Sequence, residues 1–110
     1  MILSALKETD QNETRVSVTP DSVKLLTRLG FEIIIEDGAG VLSGYENSDY
    51  KEAGAKIANR CECLKAEVCL CVRMPDSSDI SNISNSSVLI GTLNPYENKN
   101  SFSILNSNNI

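Results

Sequence analysis

Histidine is missing altogether from the 110 residues, and so is tryptophan. Without an imidazole, no side chain of ordinary pKa titrates near neutral pH, so the usual general base is absent. A metal site would also lack its commonest nitrogen ligand. Aromatic residues are only 5% of the chain, so a core must rest on Ile, Val, Leu and Ala. Long hydrophobic runs are lacking too. The longest, "FEIIIE" and "SVLIGTL", fall far short of the roughly 20 residues a membrane helix needs. "MILSALKE" has neither the basic start nor the apolar length of a signal peptide. No transmembrane segment and a cytoplasmic location are therefore expected. Basic residues are few: ten Lys and Arg stand against fifteen Asp and Glu, for a net charge of −5. They are scattered, and neutralising phosphates needs them clustered, so nucleic acid is not an expected partner. G-x-S-x-G, a Walker loop and H-E-x-x-H are all absent. As an isolated enzyme the chain is poorly equipped.

What is present suffices for one modest domain, with 41% apolar residues. Four cysteines read "CECLKAEVCLC". Two C-x-C pairs invite a zinc or redox reading. Cys69 and Cys71, however, lie in the strand-like run "EVCLCVRM", where free Cys behaves as a small hydrophobe. Cys61 and Cys63 lie in a short helical stretch, and no metal is expected.

The pattern along the chain alternates strands and helices. "ILSAL" reads as a strand, followed by the polar loop "KETDQNET" and the strand-like "RVSV". Thr19-Pro20 opens a helix: Thr caps free N–H groups, Pro at the first position loses no bond, and Asp21 suits the positive end. Val23, Leu25, Leu26 and Leu29 give that helix an apolar face, and Gly30 stops it. "FEIIIE" is the next strand, "DGAGVLSG" a glycine-rich turn, "SDYKEAG" a helix opened by Ser48 and Asp49, "AKIA" a strand and "CECLKA" a helical turn. "EVCLCVRM" is a strand closed by Pro75, "DSSDISNIS" a short helix and "SVLIGTL" a buried-type strand. A last helix, "PYENKNSFSILNSN", begins at Asn94-Pro95 with Phe102 and Leu105 on one side. Short β-branched strands between helices predict a mostly parallel α/β sheet with helices on both faces. The Ser- and Asn-rich composition after residue 77 does not remove that pattern.

Three stretches carry chemistry. "DGAGVLSG" approaches the dinucleotide fingerprint, but the helix after it starts late and no acid ends a second strand about twenty residues on. Gly38 and Gly40 therefore read as turn glycines with positive φ. Arg15 stands in or just before a strand. There it can offer a planar fork to a carboxylate or phosphate, or simply pair at the surface with a neighbour such as Glu13. Arg73 ends the strand "EVCLCVR". Ligands of open α/β sheets bind at strand carboxyl ends, so two arginines at such ends could converge on one anion.

"KETDQNETRVSVTPDSVKLLTRLGFEIIIEDGAG" resembles the opening of the alanine dehydrogenase and pyridine nucleotide transhydrogenase family. Glu8, Asn12, Glu13, Arg15, Val16, Thr19, Pro20, Ser22, Val23, Leu26, Arg28 and Gly30 fall on that family's N-terminal pattern. The resemblance runs on through Gly38-Ala39-Gly40, "SDYKEAGA" and "CVRMP", covering nearly the whole chain. It implies a Rossmann-like or flavodoxin-like three-layer fold, incomplete at the C-terminus. Residues 1–110 would be the first lobe, truncated, with the NAD-binding Rossmann lobe absent. Alanine dehydrogenases carry a catalytic His at the position of Asn94. Transhydrogenases lack it and often place a Pro next, as Pro95 is here, so the likeness is greatest to the transhydrogenase alpha subunit.

Such an enzyme transfers hydride between NADH and NADP+, coupled to proton translocation across a membrane. The likeness implies NAD(H) in the complete subunit and NADP(H) on the partner component, with no cofactor binding to this stretch alone. It also implies a homodimer of the alpha subunit working with a membrane-bound beta component at the cytoplasmic face of the inner membrane. Arg15, Arg73 and Asn94 are the residues expected to face the cleft, with no catalytic residue and no metal ligand. The alternatives are an inactive truncated remnant and an alanine dehydrogenase-like NAD-dependent oxidoreductase. Two departures stand out. Ser4-Ala5-Leu6 replaces the family's Gly-apolar-Pro, where the lost Gly would loosen ligand fit. Cys71 stands where the family usually has Lys.

Overall fold

Ile33 and Ile35 pack into one apolar cluster while Ile34, between them, packs into another. A strand does this only when helices cover both faces of its sheet. The computed structural model describes residues 1–110 and shows that arrangement. In order, the elements are β1 (Ile2–Ala5), α1 (Pro20–Arg28), β2 (Glu32–Glu36), a 3-10 turn (Val41–Ser43), α2 (Asn47–Ala53) and β3 (Lys56–Ala58). After them come α3 (Arg60–Leu64), β4 (Val68–Leu70), α4 (Ser77–Asn82), β5 (Val88–Ile90) and α5 (Lys99–Ser107). The five strands form one all-parallel sheet in the order β3-β2-β1-β4-β5. This is the Rossmann-like α/β architecture expected.

One face carries α1 and α2 over Leu3, Ala5, Ile33 and Ile35, with Val23 and Tyr50 fully buried between. The other carries α3, α4 and α5 over Leu6, Cys71 and Leu89, with Cys63, Leu64 and Phe102 packed in. Thr19 caps α1 as read, its Oγ1 accepting the Ser22 N–H at 3.3 Å. Ser4 and Leu6 explain how the missing Gly and Pro are accommodated. Ser4 is fully buried and donates its hydroxyl to the Cys63 carbonyl at 2.7 Å, so it faces α3 and not a cleft. The Leu6 N–H donates to the Leu70 carbonyl at 3.0 Å, a bond proline cannot make.

Several local expectations are corrected. Residues 15–18 are not a strand. Their loop is held by side chains, with Ser43 Oγ donating to the Thr14 carbonyl and Tyr50 Oη to the Val18 carbonyl at 2.7 Å. Leu25 and Leu29 are exposed, because only the Val23–Leu26 side of α1 meets the sheet. Gly40 has φ −95°, so it is not there for a left-handed turn. A Cβ on it would come within 2.6 Å of the Tyr50 ring, and close approach is what requires glycine. Gly38 does have positive φ, +76°. Glu46 and Asn47, not Ser48, open α2, the Asp49 carboxylate accepting the Glu46 N–H at 2.8 Å. β4 stops at Leu70, short of Arg73. β5 is an edge strand with Val88 and Ile90 half exposed, not a buried one. The last helix starts at Lys99, after a turn at 95–97.

Candidate functional site

The winding reverses between β1 and β4: β1 leads to α1 on one face, whereas β4 leads to α4 on the other. Such a switch point leaves a crevice at the carboxyl ends of the strands. Here the walls of the crevice are the loops that follow β1, β4 and β5. A depression of about 380 Å³ is lined by Arg15, Arg73 and Asn94, with Asp10, Thr92 and Glu97 beside them. All three residues singled out from sequence thus meet in one place. A neighbouring depression of about 340 Å³, reaching Lys7, Glu8, Arg60 and Cys71, shares Asp10, Arg73, Met74 and Asn98 with it.

Neither arginine stands at a strand end, since both lie in loops. What brings them together is Glu13. Its Oε2 accepts the Arg15 backbone N–H at 3.0 Å and Arg15 Nε–H at 2.9 Å. Its Oε1 accepts from Arg15 Nη2 and Arg73 Nε, both at 2.9 Å. The anion on which the arginines converge is therefore the chain's own carboxylate. Arg73 Nη1 also lies 3.9 Å from Asp10, too far for a hydrogen bond. Glu8 fixes the backbone beneath, accepting the N–H groups of Val72 at 3.0 Å and Arg73 at 2.8 Å. The hydrogen bond from the Arg15 side chain, then the one from its backbone, hold the Glu13 carboxyl far below its ordinary 4.5. The same bond to Glu13 raises the Arg15 guanidinium.

Asn94 sits after β5 in an unusual backbone. Leu93 and Asn94 both have left-handed φ, +53° and +41°. Asn accepts this region readily, whereas for leucine it costs on the order of 1–2 kcal/mol. Burial of Leu93 in the second cluster and two bonds from Asn98 Nδ2, to the Leu93 and Asn94 carbonyls at 2.9 Å, hold the turn. The Asn94 side chain donates to Glu97 at 2.8 Å.

Sequence reasoning did not pick out Glu8, Glu13 or Arg60 as working parts of this end of the sheet. Arg60 grips Asp79 through Nε and Nη2 at 2.9 and 2.6 Å and reaches Glu36 at 2.8 Å. That clamp ties the ends of β2, α3 and α4 together, and the bond to Asp79 raises the Arg60 guanidinium. The pairing of Glu13 with Arg15 was visible as a near neighbour. Nothing local announces Arg73, 60 residues away. Three cysteines, Cys63, Cys69 and Cys71, are buried and serve as small core residues, while Cys61 is exposed. Burial pushes the Cys63 and Cys71 thiols up to about 12.

Neither loop that could wrap a dinucleotide pyrophosphate has the fingerprint's open glycine turn. No glycine lies between β1 and α1, so the backbone cannot close on a phosphate at that turn. In the glycine turn after β2, the Gly38 N–H is taken by Asn47 Oδ1 at 3.0 Å, and Tyr50 fills the space beside Gly40.

Comparison with known proteins agrees with this fold. Residues 4–110 match the family model described as alanine dehydrogenase/PNT, N-terminal domain. Alanine dehydrogenase 1 of Staphylococcus aureus (strain bovine RF122 / ET3-1) is 32% identical over 99 residues, which is 90% of this chain and 27% of that protein. A transhydrogenase from Sinorhizobium meliloti superposes with a TM-score of 0.95 at 35% identity, over 99% of this chain and 33% of the other. An L-alanine dehydrogenase gives 0.90 at 25% identity, over 96% and 29%. The chain thus spans about a quarter to a third of the length of the relatives it matches. Alanine dehydrogenases and transhydrogenases are both oxidoreductases. No helix is long and apolar enough to cross a membrane. With all but the first three residues inside the family model, this chain belongs to the alanine dehydrogenase/PNT N-terminal domain family.

Proposed function

We propose that this chain is the N-terminal part of the NAD(H)-binding alpha subunit of a proton-translocating NAD(P) transhydrogenase. The observation that carries this reading is Asn94. It lines the cleft after β5, at the position where the resemblance puts the catalytic His of alanine dehydrogenases. An amide neither takes up nor releases a proton near neutral pH, so it cannot serve as the base of an amine-forming reaction. Direct hydride exchange between two nicotinamides needs no such base: the cofactors carry the chemistry, and the protein orients them. In this reading the lobe forms one wall over a nicotinamide whose pyrophosphate is held elsewhere, and Arg15, Arg73 and Asn94 face it. NADP(H) would sit on a membrane-bound beta component, and the alpha subunit would pair with a second copy of itself at the cytoplasmic face of the membrane.

The alanine dehydrogenase reading is kept in view by the 32% identity to the staphylococcal enzyme. Protein purified from its source, together with its membranes, separates the two. NADPH-driven reduction of an NAD+ analogue without alanine-dependent reduction of NAD+ is the expected result. The reverse pattern makes the chain part of an alanine dehydrogenase, and silence in both assays makes it an inactive remnant.

A further inference from the structure

Glu13 inverts the usual layering of a cleft. Its carboxylate is 4% exposed, whereas the Arg15 and Arg73 side chains above it are 65% and 50% exposed. Each carboxylate oxygen accepts two N–H groups, and all of them come from these two arginines. Arg15 meets Glu13 edge-on through Nε and Nη2, which leaves Nη1 unused. Arg73 meets it through Nε alone, leaving both terminal nitrogens without a hydrogen bond to the protein. Two guanidinium charges placed side by side repel each other; Glu13 is the acid hydrogen-bonded to both, while half-exposed Asp10 only comes within 3.9 Å of Arg73 Nη1. We propose that Glu13 is a positioning residue. It fixes Arg15 and Arg73 as a pair, Nε edges down and terminal nitrogens up, so that the unused donors face the depression shared with Asn94.

The consequence is a platform of two forks suited to a single carboxamide, carboxylate or phosphoryl oxygen pair, in which Glu13 offsets one guanidinium charge and Asp10, 3.9 Å from Arg73 Nη1, the other. A multiply charged anion would find little attraction there, with Asp10 and Glu97 also on the wall. The hydrogen bonds from Arg15 hold the Glu13 carboxyl well below its ordinary value, so it stays charged throughout the neutral range. The use made of the platform rests on the reading of this cleft as the wall facing a nicotinamide. The positioning role of Glu13 does not.

The experiment is nitrogen-15 NMR of the arginine Nε–H groups in the 110-residue chain. In the wild type, Arg15, Arg73 and Arg60 should each give a resolved, slowly exchanging signal. In Glu13→Gln one acceptor oxygen remains, and Arg15 and Arg73 should exchange at least tenfold faster. Arg60 Nε–H, held by Asp79 at 2.9 Å, should not change, which a general loosening of the fold would not allow. Arg15 and Arg73 still protected in Glu13→Gln overturns the proposal. Should that variant lose Arg60 as well, Glu13→Asp decides. Its charge is kept but its reach is shorter, so Arg73 alone should lose protection, and an unchanged Arg73 overturns the proposal. Titrating the wild type with nicotinamide, whose carboxamide is the group that reading places over the arginines, then tests the cleft separately. Shifts at the terminal nitrogens of both arginines, with Nε–H unmoved, support a ligand seated on the platform. No shift counts against the cleft reading and leaves the exchange data to judge Glu13.

Discussion

Leu6 and Ser4 stand where the family pattern has Pro and Gly, and the structure gives each a use. Leu6 adds a bond to the Leu70 carbonyl and fills the second cluster, and Ser4 ties β1 to α3. Restoring the family residue in Leu6→Pro should therefore destabilise. The loss of one hydrogen bond, about 1 kcal/mol, and of much of a buried leucine, about 2 kcal/mol, gives a fall of roughly 3 kcal/mol. A urea midpoint unchanged from the wild type would show that the strand tolerates proline. The buried thiols and the Tyr50 phenol set the response to alkali. Burial raises Cys63 and Cys71 from 9.0 to about 12 and Tyr50 from 10.0 to about 12. The folded chain then keeps protons that the unfolded chain gives up, so their contribution is complete below pH 9 and is lost as the pH climbs toward 12. Urea midpoints measured at pH 6, 7.5 and 10.5 should be level between the first two and drop at the third. On the acid side the signs reverse. Glu13 and Asp76 are held below their ordinary values by hydrogen bonds, so their contribution is complete above those ordinary values and is lost as the pH falls below them and through the depressed ones.

Elements were legible where their cause is local. The Thr19-Pro20 start of α1, the Gly30 turn and the isoleucines of β2 are set by neighbours within a turn or two. Where the cause is distant, the sequence misled. "RVSV" has the alternation of a strand, but the carbonyls of Thr14 and Val18 are claimed by Ser43 and Tyr50, about thirty residues on. Arg15 and Arg73 could be named as cleft residues from family likeness and strand ends. Their common partner could not, because a bond across 60 residues leaves no local mark. β5 illustrates a third limit. Its composition suits a buried strand, but rank in the sheet is a property of the whole winding, and β5 lies at the edge. Ile90, 52% exposed on a strand without charge or proline to guard it, is a pairing hazard. Ile90→Lys should reduce concentration-dependent association in sedimentation velocity and leave the urea midpoint within about 0.5 kcal/mol of wild type. Association undiminished in that variant would place the sticky surface elsewhere.

Across the molecule, the two faces of the sheet are unequally dressed. α1 and α2 cover β1, β2 and β3 and leave Val88 and Ile90 uncovered, whereas α3, α4 and α5 reach across the other face. The charged groups gather at the carboxyl ends, where Glu8, Glu13 and the Arg60 clamp draw loops from distant parts of the chain into contact. That distance has a kinetic meaning. The loop after β1 is made early in synthesis, but its two anchors, the N–H groups of Val72 and Arg73, lie 64 and 65 residues further on. Closing so long a stretch of chain comes late, after nearer contacts have formed. A growing chain would thus have its first helix and first strand pair in place while the crevice is still open, and the two arginines would meet among the last events of folding.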